Sequence, residues 1–192
     1  MTLPTVSAIC PTFGRYPNHG HLVDLAVGCF LAQNYPGPRE LVVLNDCPGQ
    51  TLFCQAPGAR VVNLSTQVAS LGEKFNLLLE LARGRIAFPW EDDDVSLPHR
   101  ISQGVRALGD AFDYFDPRHV WYVENHGPIR FDHNQNCTHH GSCYRRDALR
   151  YEPVSGDQDQ RATAFARDHL RCAPPLTGDP ATWSYLYRWG VS

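Results

Sequence analysis

Four adjacent acids, Glu91-Asp92-Asp93-Asp94, are the most concentrated chemistry in the chain. Like charges this close repel, and the run costs stability unless something neutralises it. Oxygen-only donors suit hard divalent cations, Mg²⁺ or Mn²⁺, which also bridge substrate phosphates. The run Glu91–Asp94 is therefore a candidate metal site. The bland alternative is an acidic surface turn. It loses ground because the run directly follows Arg85-Ile86-Ala87-Phe88, which reads as a buried strand. In open α/β sheets, ligands bind outside the carboxyl ends of strands. Pro11-Thr12 and Asn45-Asp46 also follow apolar stretches, at residues 6–10 and 40–44. The three points together make a polar rim.

The histidines form a second group. His133, His139 and His140 lie near Cys137 and Cys143, but their spacing matches no standard structural zinc site, and a polar loop is the better reading. A single histidine, His140 or His169, could complete the shell of the other metal. Arg145, Arg146 and Arg150 form either a solvated face or a contact for an anion.

The elements that must position these groups alternate. Residues 6–10, 40–44, 60–64 and 85–88 read as buried strands. Residues 22–33 space their apolar side chains as one helix face. The next helix is marked by Ser70 with Glu73 three residues on, a capping box, and by Gly84 as a stop. Pro98 suits the first turn of a helix reaching about Leu108. This order predicts an α/β fold with a mostly parallel central sheet and helices on both faces. The second half is less regular, with strands over 119–124 and 142–145 and a helix over 157–169.

The chain has 192 residues, which suits one domain, 1–192, with a core of its own. It divides into a metal-bearing half, 1–98, and a second half, 99–192. Charged residues are 19% and the net charge is -3, so the whole molecule is no trap for nucleic acid. The seven cysteines include no CxxC pair and read as reduced thiols, and residues 1–4 show no signal peptide. No apolar run spans a bilayer. The expected place is the cytoplasm.

In their order, these residues resemble the family 2 nucleotide-sugar glycosyltransferases, which have the GT-A fold. The resemblance rests on Pro11-Thr12-Phe13-Gly14-Arg15, Gln33-Asn34-Tyr35-Pro36, Asn45-Asp46, Lys74-Phe75-Asn76 and Ala82-Arg83-Gly84. Residues 91–98 match the family's D-x-D-D-x-x-x-P, with Glu91 at the first position. Further on, Gly141-Ser142-Cys143-Tyr144-Arg145-Arg146 and Gly156-Asp157-Gln158-Asp159 match more loosely, Gly156 standing where the family has Glu. The resemblance implies that Pro11, Thr12, Arg15, Asp46, Lys74 and Asp92 bind a nucleoside-diphosphate sugar, a UDP-sugar by the family's usage. It implies that Glu91, Asp93 and Asp94 hold Mn²⁺ or Mg²⁺ on the diphosphate. It implies that Asp157, with Asp159 as its competitor, is the base of an inverting transfer to an acceptor hydroxyl. The acceptor stays open among a glycan, a small molecule, a protein and a modified nucleic-acid base. Two alternatives are a nucleotide-sugar-binding domain without turnover and a sugar-phosphate nucleotidyltransferase. The second expects a G-x-G-T-R loop that Cys10-Pro11-Thr12-Phe13-Gly14-Arg15 lacks.

Overall fold

Side-chain alternation along the strands decides the layers. A computed structural model describes residues 2–16, 18–125, 127–132 and 139–190. In β1 (Val6–Thr12), Val6, Ala8 and Cys10 face one core, while Ile9 faces the other. β2 (Arg39–Asn45) repeats the pattern, with Leu41 and Val43 on the first side and Val42 and Leu44 on the second. β3 (Ala59–Asn63) and β4 (Ile86–Pro89) flank this pair. All four run parallel. Helices α1 (Gly20–Leu31) and α3 (Arg100–Leu108) cover the first face. Helices α2 (Leu71–Leu81) and α4 (Gln158–His169) cover the second. Burying one such Leu, Ile or Phe contributes roughly 1.5–3 kcal/mol.

The central sheet has six strands in the order β3-β2-β1-β4-β9-β6, counting β6 (Tyr114–Phe115) and β9 (Cys143–Arg145). β9 is antiparallel to both β4 and β6. The mostly parallel α/β architecture expected from the sequence is therefore present. A second sheet, β5-β10-β7-β8, was not visible in the sequence pattern. It comprises β5 (Val95–Ser96), β7 (Val120–Glu124), β8 (Arg130–Asp132) and β10 (Tyr185–Trp189). β10 lies between β5 and β7, antiparallel to the first and parallel to the second. Both sheets draw strands from residues 1–98 and from residues 99–192.

Several boundaries differ from the sequence pattern. β1 runs on through Pro11 and Thr12 because they continue its register against Leu44 and Asn45. The helix expected from Pro98 begins at Arg100, after a turn at Pro98 and His99. Ser70 does cap α2, its Oγ accepting from Glu73 N at 3.2 Å. Gly84 is not the cap that stops α2, since Ala82 takes that position. Gly84 lets the chain pass β1: a Cβ there would lie 2.5 Å from Val6 C and Ser7 N.

This close approach yields a paired expectation. Gly84→Ala should destabilise the fold by roughly 1–3 kcal/mol, since backbone rather than a mobile side chain must shift. Gly28→Ala, on the exposed side of α1 with nothing within 4 Å of the new Cβ, should stabilise it by about 0.5–1 kcal/mol. Urea unfolding of the two variants checks the difference in sign.

Candidate active site

The acids expected to act together all lie at the carboxyl edge of the central sheet. Each has acquired a different neutraliser. Asp46, at the end of β2, is buried with Lys74 from α2, their Oδ1 and Nζ 2.5 Å apart. Lys74 also donates to Thr12 O at 2.7 Å, so one ammonium joins the ends of β1 and β2. Asp46 Oδ2 accepts from Val68 N at 3.0 Å. Beside this pair lies a cavity of about 170 Å³, lined by Phe13, Asp46, Val68, Ser70, Lys74 and Ser155 among others.

Asp92 is clamped from β1. Thr12 Oγ1 donates to its Oδ2 at 2.6 Å, and Arg15 forks onto both oxygens at 2.8 and 2.7 Å. A bidentate, charge-assisted pair of this kind is strong and directional. Pro11, by contrast, shapes the end of β1 through its backbone. Asp94 points the other way, into the second sheet. It accepts from the Tyr185 hydroxyl and from Arg188 N, the latter at 2.7 Å. Burial still dominates there and pushes the Asp94 carboxyl up to about 7. Asp93 is the least committed acid. Among the described residues its one ion pair is a long 3.4 Å contact with Arg15, and its side chain is 25% exposed.

Glu91 meets His140, which sits in a short 3₁₀ turn, His139–Gly141. His140 Nδ1 lies 3.5 Å from Glu91 Oε1, within ion-pair range but without hydrogen-bond geometry. Its Nε2 lies 3.4 Å from Asp159 Oδ2. Burial opposes charge on His140, but Asp159 and Glu91 outweigh it and lift the ring well above the usual histidine range. Burial raises Glu91, with His140 acting against it. Burial also works to raise Asp159, but His140 more than offsets it and holds that carboxyl low. His139, one residue earlier, is in the opposite state. Burial lowers it to about 3, and its Nε2 pairs with the Tyr151 hydroxyl at 2.6 Å.

The remaining candidates fall outside this cluster. Asp157 stands just before α4, 44% exposed, and pairs with Arg161 at 2.8 Å. His169 closes α4 and packs its ring against Phe165 at 4.8 Å. His133 and Cys137 lie outside the described residues. Cys143 is buried, next to Gly104 and Phe88.

Sequence reasoning passed over β10 and Arg100. Tyr185, Tyr187 and Trp189 alternate along β10, so the three rings share one side of the strand. Tyr185 is buried, whereas Trp189 is 56% exposed. A cavity of about 410 Å³ is lined by Glu91, Asp93, Asp94, His140, Tyr187, Arg188, Trp189 and Gly190. Arg100 is buried between the rings of Trp90 and Tyr185, 4.9 and 4.5 Å from their centroids. It donates to Ser96 Oγ and Pro89 O, each at 2.6 Å, and to His140 O. The alternating tyrosines of β10 were the one available signal.

Donor chemistry favours a hard cation here. The acids supply oxygen, Asp93 retains free lone pairs, and burial leaves Glu91 and Asp94 raised. Among the described residues, however, no three His, Cys, Asp or Glu side chains already converge as a coordination shell.

No family model matches the sequence, and no curated protein sequence matches it with significance. Solved structures do match. The S. aureus TarS 1–349 structure gives a TM-score of 0.72 at 15% identity, over 96% of this chain and 60% of that one. The chain has the GT-A fold. The same TarS segment in complex with UDP-GlcNAc gives 0.70 at 16% identity, over 96% and 58%. The mannosyltransferase PcManGT from Pyrobaculum calidifontis, in complex with GDP-Man and Mn²⁺, gives 0.63 at 17%, over 96% and 56%. The chain thus spans at most about three-fifths of each of these GT-A structures. Among the described residues, no helix is long and apolar enough to cross a membrane.

The raised Asp94 carboxyl has a measurable consequence. Its folded form holds a proton that the unfolded form has released, so its contribution to stability falls as pH rises from 3.8 towards about 7. The slope approaches about 1.4 kcal/mol per pH unit within that window. Asp94→Asn should therefore gain on the parent protein between pH 4 and pH 7 in metal-free buffer. Thermal melts across that range check it, and a parallel pH dependence of the two proteins would refute it.

Proposed function

We propose that this chain is a metal-dependent, inverting glycosyltransferase of the family 2 type, moving a sugar from a UDP-sugar to an acceptor hydroxyl. The observation that carries the reading is the gathering of Glu91, Asp93 and Asp94 around one cavity at the carboxyl edge of a GT-A sheet. The ordered matches at Thr12, Asp46, Lys74 and residues 91–98 support the family. The nucleotides bound by TarS and PcManGT support a nucleoside-diphosphate donor.

Each residue then has a role. The cavity beside Asp46 and Lys74 receives the nucleoside, with Phe13 and Val68 at its wall. Arg15, held against Asp92, brings positive charge towards the diphosphate. Asp93, with Glu91 or Asp94, would hold Mn²⁺ or Mg²⁺, which when bound neutralises charge on the leaving diphosphate. The acceptor oxygen attacks the anomeric carbon, the bond to the phosphate oxygen breaks with its electron pair, and a carboxylate takes the hydroxyl proton.

Two acids compete for that proton. Asp157 occupies the position that the family resemblance implies, yet Arg161 engages it at the rim. Asp159 stands beside His140, which lines the cavity and keeps the carboxyl ionised. We place the base at Asp159. The Tyr187 and Trp189 rings in the cavity wall suit packing against the ring of a sugar acceptor. A second reading, a domain that binds nucleotide-sugar without transfer, draws on the engaged state of Asp157.

Calorimetry with UDP should show binding that strengthens on adding Mn²⁺ and loses that gain in Asp93→Asn. Equal affinity with and without metal would remove the metal site. Asp159→Asn should lower the rate of UDP release from a UDP-sugar and acceptor by roughly 100-fold, leaving UDP affinity unchanged. The same change at Asp157 should leave the rate within a few-fold. The reverse order would move the base to Asp157. UDP binding without turnover by any UDP-sugar would favour the binding domain.

A further inference from the structure

The opposite edge of the central sheet carries an unusual charge. Here β4 begins, β9 ends, and α2 and α3 terminate. Arg83, Arg85, Arg106, Arg145, Arg146 and Arg150 gather at this pole. The contacts between them fix the grouping. Arg146 N donates to Arg85 O at 3.0 Å, and Arg150 Nη1 donates to Arg146 O at 3.1 Å. Arg145 pairs in register with Ile86 and reaches Gly109 O, just beyond α3 and one turn past Arg106. The neighbouring acids are fewer: Glu40, which accepts from Arg83 N, Glu80, Asp110, Asp113, which pairs with Arg171, and Asp147. The chain as a whole is -3, so this pole stands against the trend of the molecule.

Helix ends explain part of it. Cations are favoured where α2 and α3 terminate, and Arg145 and Arg146 spend donors on the carbonyls of Gly109 and Ala82. That account takes in Arg106, in the last turn of α3, but gives no side-chain partner to Arg83, Arg85 or Arg106. Their side chains make no hydrogen bond or ion pair among the described residues, and all three are exposed. Within the same pole is a cavity of about 400 Å³ with Arg85 and Arg145 at its rim and Leu3, Pro4 and Val105 in its walls. Leu3 is 46% exposed.

We propose that this basic pole docks on a bilayer surface carrying anionic phospholipid. Arginine guanidinium groups match phosphate oxygens in a two-pronged geometry. An exposed Leu3 among them gains from the acyl-chain boundary and gains nothing from the sugar-phosphate edge of a nucleic acid. The patch is also broad. It spans from the end of α2 to the end of α3, across neighbouring strands about 4.8 Å apart. The acid cluster lies at the other end of the strands, so docking orients the candidate active site away from the lipid.

Sedimentation with vesicles tests this without reference to any transferase activity. The protein should bind vesicles of phosphatidylcholine mixed with phosphatidylserine, should not bind phosphatidylcholine alone, and should detach as salt rises. The triple variant Arg83→Gln, Arg85→Gln, Arg106→Gln should bind roughly fivefold more weakly for each arginine removed. Its melting temperature should stay near that of the parent, because these side chains hold nothing in the fold. Leu3→Ser should weaken vesicle binding at every salt concentration. Absence of binding at low salt, equal binding to both lipid mixtures, or full binding by the triple variant would each overturn the proposal. Retention of duplex DNA that the triple variant loses, with no vesicle binding, would assign the pole to nucleic acid instead.

Discussion

The rest of the structure depends on where carboxylates can be afforded. Asp46, Glu91, Asp92, Asp93 and Asp94 all reach one edge of a sheet buried on both faces. Left unpaired, a buried carboxylate costs several kcal/mol. The fold answers acid by acid: Lys74 for Asp46, Arg15 and Thr12 for Asp92, Tyr185 and Arg188 for Asp94. The partners come from α2, from the end of β1 and the loop after it, and from β10. Holding the acids therefore ties distant parts of the chain together. Among the described residues, the Asp93 side chain is left with a single long contact, to Arg15.

The first half of this arrangement was legible in the sequence. Buried strands of a parallel sheet are continuously apolar, so the runs ending at Cys10, Leu44 and Phe88 announce both the strand and the place where its polar residue emerges. The second half was harder to read for physical reasons. β5 and β6 have two residues each, too few to show any alternation. β10 is mostly aromatic on one side, but its meaning depends on β5 and β7, which lie far away in sequence. Arg100 carries no sign in the sequence that it is buried, since an arginine in an amphipathic helix normally faces water. The proposal of Asp159 over Asp157 rests on His140, whose position depends on the 3₁₀ turn at His139–Gly141.

That turn shows how the second face of the site is built. His139 and His140 are neighbours, yet their surroundings push them in opposite directions, burial lowering the first and two acids raising the second. His139 is enclosed by tyrosines, its ring on the Tyr151 hydroxyl, which in turn meets the Tyr144 hydroxyl at 2.7 Å. His140 emerges between two acids and lies flat against Tyr187, ring centroids 5.4 Å apart. Arg100 grips the carbonyl of His140 from below while holding Pro89 O at the end of β4. The acid cluster and the histidine are thus held to one reference point, a guanidinium packed between two aromatic rings.

The placement of β10 has a consequence in time. Tyr185 and Arg188 are about ninety residues from the Asp94 that they satisfy. During synthesis the four acids leave the ribosome long before those partners exist. At the usual rate of about 5–20 residues per second, the wait is several seconds. Through that interval β5 has no neighbour and Asp94 has no reason to turn inwards. The nascent sheet can form early from local contacts, whereas the acid edge must stay hydrated and open until β10 slides into the slot between β5 and β7. Loop closure over such a distance is slow compared with helix formation. β10, the last of the described strands, is therefore also the one that completes the wall of the cavity, so a chain made only as far as β9 can be folded at its centre and still lack that wall.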